Sequence, residues 1–133
     1  MSKLNAFLKG NVKQTENALL KLERFDEAII LRPLPSGEAD KITDRCYANK
    51  PGKKGKQERV FDVVKYNREI CIASIVFPDL NDAGLQESYE VRGADTLYSN
   101  MFLLGEANQI LEKVTELSGI GEDINDHIEE AKN

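Results

Sequence analysis

The chain has 133 residues, of which 41% are hydrophobic and 7% aromatic, with no tryptophan and a net charge of −5. That is the size of one ordinary domain with apolar side chains enough for a single core, so a second domain is not expected. A core of Leu, Ile, Val and Ala suits packed helices better than an all-β sandwich.

The charge is uneven. Residues 1–66 hold 14 Lys and Arg against 9 Asp and Glu, a net +5, while residues 67–133 hold 4 against 14, a net −10. Such asymmetry steers a partner or promotes head-to-tail self-association. No apolar run approaches the roughly 20 residues of a membrane helix, so no membrane association is expected. The N-terminus has no long apolar stretch of the signal-peptide kind. Cys46 and Cys71 are far apart and form no CxxC pair, which predicts two free thiols in a reducing cytoplasm.

Leu4, Phe7 and Leu8 mark a short N-terminal helix that Gly10 would stop. The β-branched Ile29-Ile30 before Pro33 and Pro35 favours a strand. Leu20 and Leu22 would face it across a turn near Arg24 to Asp26, a hairpin that needs helices to cover it. The run Ala18-Leu19-Leu20-Lys21-Leu22 fits the end of a helix equally well.

Ser36 is the expected N-cap of the next helix, with Glu38 and Asp40 in its first turn, Ile42 and Cys46 inward, and its end near Ala48 or Asn49. The segment Lys50-Pro51-Gly52-Lys53-Lys54-Gly55-Lys56 predicts a solvated inter-helix loop. Helical spacing resumes over 58–77, with Val60, Val64, Cys71 and Ile75 on one side and Phe61 and Val63 widening it, until Pro78 ends the run. Asn81 is the expected cap of a short helix to Tyr89, with Leu80 and Leu85 clasping across it. A further short helix spans Ala94 to Met101. A longer one spans Gly105 to Ser118 with Ala107, Ile110, Leu111, Val114 and Leu117 on one stripe, and Gly119 is its stop. The acidic segment beyond, with Ile124 and Ile128 at helical spacing, is a frayed helix or disordered.

Chemistry-bearing constellations are weak. The run Gly52-Lys53-Lys54-Gly55-Lys56-Gln57 lacks the spacing and the hydroxyl of a phosphate-binding P-loop. Lys50, Lys53, Lys54 and Lys56 remain candidates for contact with an anionic partner, although no aromatic interleaves them for base stacking and a nucleic-acid partner is not favoured. His127 is the sole histidine and stands among solvating carboxylates, too few ligands for a transition-metal site. Asp79, Asn81 and Asp82 lack the twelve-residue calcium-loop pattern and are explained by helix capping. No GxSxG elbow accompanies the serines. A non-enzymatic protein without a cofactor is expected, binding through apolar helix faces. Phe102 and Leu104, flanking an inward Leu103 at a helix junction, are the candidate partner surface, together with Ile124 and Ile128.

The stretch Pro78-Asp79-Leu80-Asn81-Asp82, Leu85-Gln86, Tyr89, Gly93-Ala94, Met101, Leu104-Gly105-Glu106 and the amphipathic run to Gly119 resembles the C-terminal half of the XkdN-like phage tail assembly chaperones. Ala6-Phe7-Leu8, the basic Pro-Gly-Lys loop and a helix carrying Lys65-Tyr66 and ending in Phe77-Pro78 extend the resemblance over most of the chain. It implies a chaperone of phages or prophages, acting in the cytoplasm of the bacterial host. Such a chaperone coats the tape measure protein, a long helical chain with apolar faces, until tail tube subunits replace it. The tape measure protein is thus the implied partner, the tail tube protein a further one, and no catalytic residue is implied. The alternative class is a nucleic-acid-associated or regulatory adaptor using the basic segment 50–56. The expected architecture is α+β and predominantly helical, a small β-hairpin near the N-terminus packed on a bundle of about five helices. Residues 1–120 make the domain and 121–133 an acidic tail.

Overall fold

The computed structural model of the protein describes residues 3–119 and is α+β, predominantly helical, with small antiparallel sheets. The predicted hairpin forms. Strands β1 (Ala18–Leu20) and β2 (Ile29–Leu31) pair antiparallel with Leu20 opposite Ile29, and the chain turns between them as foreseen. Ile29 and Leu31 point into the core while Ile30 faces outward, the two-residue alternation of a half-covered sheet. Two 3-10 turns, Lys3–Phe7 and Lys9–Asn11, precede β1, and Gly10 lies inside the second rather than ending a helix.

Helix α1 (Ser36–Arg45) is capped one position earlier than expected: Pro35 holds the N-cap position and Ser36 is the first helical residue. Glu38 still sits in the first turn, where a carboxylate meets the positive helix end, and also pairs with Arg32. The helix stops at Arg45, short of Ala48, because the chain enters strand β3 (Tyr47–Pro51).

The segment 50–56 is not a loop between helices but the tip of a β-ribbon. Strand β3 pairs with β4 (Gln57–Phe61) over five residues each, from Tyr47 opposite Phe61 to Pro51 opposite Gln57. Every residue of both strands is exposed. At the tip Lys54 and Gly55 adopt positive φ, and a Cβ on Gly52 would lie 2.5 Å from the Glu58 side chain and 2.8 Å from the Lys56 carbonyl, so only glycine fits there. At the base the Tyr47, Phe61 and Tyr66 rings form a chain with centroids 5.2 and 5.5 Å apart, and Arg59 stacks on Tyr47.

The expected helix over 58–77 is therefore three elements: β4, helix α2 (Val63–Ser74) and strand β5 (Ile75–Phe77). Asp62 caps α2, its side chain accepting from the Lys65 backbone N–H. Val60, Phe61, Val63 and Val64 are exposed rather than inward. Strand β5 joins the other edge of β2, giving the order β1-β2-β5. The buried Ser74 ties the helix end to that sheet. Its hydroxyl donates to the Arg32 carbonyl, and its own carbonyl accepts from the Arg32 N–H at 2.9 Å.

After Pro78 comes α3 (Ala83–Ser88), capped by Asp82 and not Asn81; the Asp82 carboxylate accepts from the Leu85 N–H at 2.8 Å. Leu80 and Leu85 do reach the same core. Helix α4 (Ala94–Met101) has its predicted bounds, and α5 (Leu104–Leu117) follows, with Gly119 at φ +80° just past its end.

One apolar core joins β1, β2, β5 and the inner faces of α2, α4 and α5 around Leu22, Leu31, Cys71, Leu97, Ile110 and Val114. A smaller cluster of Ile42, Cys46 and Ile70 seats α1 on α2. Both cysteines are buried free thiols; burial pushes Cys46 upward and Cys71 up to about 11. Neither thiol will react appreciably with a maleimide at neutral pH in the folded chain, at a rate about 100-fold or more below that in denaturant, as mass spectrometry of timed samples will read.

Candidate partner groove

Helix α4 ends at Met101 and α5 begins at Leu104, so Phe102 and Leu103 make the corner with extended backbone. Extended geometry sends successive side chains to opposite sides. Phe102 goes in, 6% exposed, with its ring 5.7 Å from Phe25 and 5.2 Å from Tyr98. Leu103 goes out at 59%, the reverse of its expected inward position, and Leu104 stands 80% exposed in the first turn of α5.

A half-buried ion pair holds this corner. The Glu106 carboxylate accepts the Leu103 backbone N–H at 2.8 Å, the side-chain half of an N-terminal capping box, and takes two hydrogen bonds from the Arg24 guanidinium. Arg24 also donates to the Met101 carbonyl at 2.9 Å. The hydrogen bonds from Arg24 hold the Glu106 carboxyl below the usual carboxylate range.

Beside the corner lies a groove of about 400 Å³ between α2, α4 and α5. Phe102, Cys71 and Tyr98 form its floor; Val64, Leu104, Ala107 and Leu111 form its walls. Val64 is 69% exposed, so both lips of the groove are apolar side chains in solvent. Burial pushes the Tyr98 phenol strongly upward, keeping the floor neutral. Phe102 and Leu104, expected as a pair, thus contribute to one groove, as floor and as lip. Val64, on the other lip, was missed: its place follows from Asp62 capping α2, which puts Val63 and Val64 in the first helical turn, ahead of the buried half of the helix.

The other expected contacts lie elsewhere. Lys50, Lys53, Lys54 and Lys56 gather at the tip of the ribbon. Ile124 and Ile128 fall outside the described residues. A larger depression of about 1070 Å³ along α3 is lined by Ala83, Gln86, Glu87, Glu90, Val91 and Arg92, mostly polar and charged side chains. Among the described residues no cluster of three His, Cys, Asp or Glu is placed to hold a metal, and no helix is long and apolar enough to cross a membrane.

No curated protein matches the sequence. The fold is similar to the crystal structure of the protein yqbn, a structural genomics target, with a TM-score of 0.72 at 16% identity over 91% of this chain and 99% of that one. The family model described as phage XkdN-like tail assembly chaperone protein matches residues 4–132, running beyond Gly119, where the resemblance in the sequence stops. A match over nearly the whole chain makes this chain a member of the XkdN-like tail assembly chaperone family.

Proposed function

We propose that the chain binds the tape measure protein in the bacterial cytoplasm before the tail tube assembles, with the tail tube protein later taking its place. The observation that carries this is the groove between α2, α4 and α5, whose lips Val64 and Leu104 are apolar and exposed. An exposed apolar groove between helices suits an amphipathic helix, which lays its stripe of apolar side chains into it.

Co-expression with the tape measure protein encoded beside it, followed by size-exclusion chromatography with mass detection, tests the proposal. A stoichiometric complex is expected, lost on Leu104→Asp plus Val64→Asp. Both changes fall on exposed side chains near helix N-termini, where carboxylates are tolerated, so folding is retained. Phe102 is unsuitable for such a control, since a carboxylate at that buried position would disrupt the core. An unchanged complex in the double variant removes the groove from the interface.

The adaptor alternative has one observation in its favour, the gathering of four lysines on an exposed ribbon tip. It predicts a partner lost steeply as salt rises, whereas apolar contacts in the groove change little with salt.

A further inference from the structure

Three other arginines of this chain are matched to carboxylates, Arg24 to Glu106, Arg32 to Glu38 and Arg45 to Glu69, and Arg59 stacks on the Tyr47 ring. Arg68 differs. It lines the partner groove from α2, one turn after Val64, and its Nε is buried without a hydrogen-bond partner among the described residues. A guanidinium is always charged and carries five N–H donors in a rigid fork. Buried donors of this kind are nearly always satisfied in folded proteins, and leaving one unmatched costs free energy. The polar groups close by, the Asn67 and Asn108 amides at the groove and the Tyr98 phenol on its floor, include no anion.

Resting on the groove as the partner site, we propose that Arg68 selects the occupant: an amphipathic partner helix whose apolar stripe is interrupted by one Asp or Glu, seated on the guanidinium while its apolar neighbours fill the space between Val64 and Leu104. Charge complementarity carries the choice. A purely apolar stripe would cover the guanidinium and leave its charge without a partner, whereas a carboxylate meets its outer nitrogens in a paired, charge-assisted contact. The groove therefore discriminates among apolar helices, rejecting those that present nothing to the arginine.

The test uses the full chain and overlapping 25-residue peptides spanning the neighbouring tape measure protein, with binding read by fluorescence anisotropy. The peptides that bind are expected to carry an acidic residue within their apolar stripe. Changing that residue to its amide should weaken binding to the native chain about tenfold or more and leave binding to Arg68→Met unchanged, the signature of a direct pair. Arg68→Met keeps the unbranched apolar stem while deleting the orphaned donor, so the free variant is expected to melt a few degrees higher even as it binds more weakly. A residue needed only for folding would shift the other way. Equal affinity of native and Arg68→Met chains for the same peptide, with Leu104→Asp still abolishing it, overturns the role of Arg68 and leaves the groove intact. Binding that survives Leu104→Asp, or no binding by any peptide, overturns both. Tighter binding of a peptide of residues 120–133 of this chain would make the groove self-occupied and overturn the choice of occupant.

Discussion

Ile110→Ala will lower the unfolding free energy by about 3 kcal/mol, the cost of removing three buried carbons and leaving a cavity that surrounding helices only partly close. Ile110 is 0% exposed at the middle of α5, in the cluster that also holds Leu97, Leu31 and Cys71 from three other elements. Its neighbours belong to a sheet and to helices fixed at both ends, so collapse onto the vacated space is limited. Urea denaturation followed by circular dichroism will show the midpoint fall with an unchanged slope. Leu104→Ala, four-fifths exposed on the same helix, will change stability by no more than about 0.5 kcal/mol. A loss at 110 as small as that at 104 would mean that α5 is not held in the core through this face.

Glu106→Ala will lower the melting temperature by roughly 5 °C at neutral pH, since it removes the acceptor of the Leu103 N–H and leaves Arg24 without its carboxylate. The loss depends on pH in a definite sense. The folded chain holds the Glu106 carboxyl below its ordinary value of 4.5, so the unfolded chain takes up the proton first. The stabilisation is complete above that value and disappears as pH falls through the lower, folded one. Native and variant melting curves, separated at pH 7, should converge once the pH has fallen below the lowered, folded value. Glu106→Gln, which keeps an oxygen for the Leu103 N–H, should recover part of the loss at neutral pH. Curves that stay parallel in acid would show that the corner is held by shape rather than by the ionised carboxylate.

Local signals located much of the fold. Proline and β-branched residues marked β2, a stripe from Ala107 to Leu117 marked α5, and Gly93 and Phe102 left α4 with the bounds its spacing predicted. The segment 58–77 misled because Val60, Phe61, Val63 and Val64 satisfy a helical stripe as well as a strand. What makes 57–61 a strand is its pairing with Tyr47 to Pro51, a contact no local period encodes. Asp62, a capping residue at the start of the apolar run, was the available sign that a helix begins there. Strand β5 was hidden for the same reason, since Ile75-Val76-Phe77 continues the apolar run of α2 and becomes a strand only by meeting β2. In the groove, Phe102 and Leu104 were legible as apolar residues at a junction. Which of 102 and 103 turns inward was not, because it depends on the extended corner and on the distant rings of Phe25 and Tyr98. Arg68 showed no sign in the sequence, where an arginine on a helix looks the same whether or not it meets an acid.

The ion pair between Arg24 and Glu106 joins residues 82 positions apart, and the Leu34 N–H finds the Ser118 hydroxyl 84 positions on. The first third of the chain is thus completed by the last helix described, which has a kinetic meaning. Loops of this length must close before the hairpin gains its cover, and high contact order slows folding relative to a simple helix bundle of equal size. During synthesis β1 and β2 will emerge from the ribosome long before β5, Arg24's carboxylate and the stripe of α5 exist, so the nascent hairpin waits unpaired and the domain closes only once α5 is out.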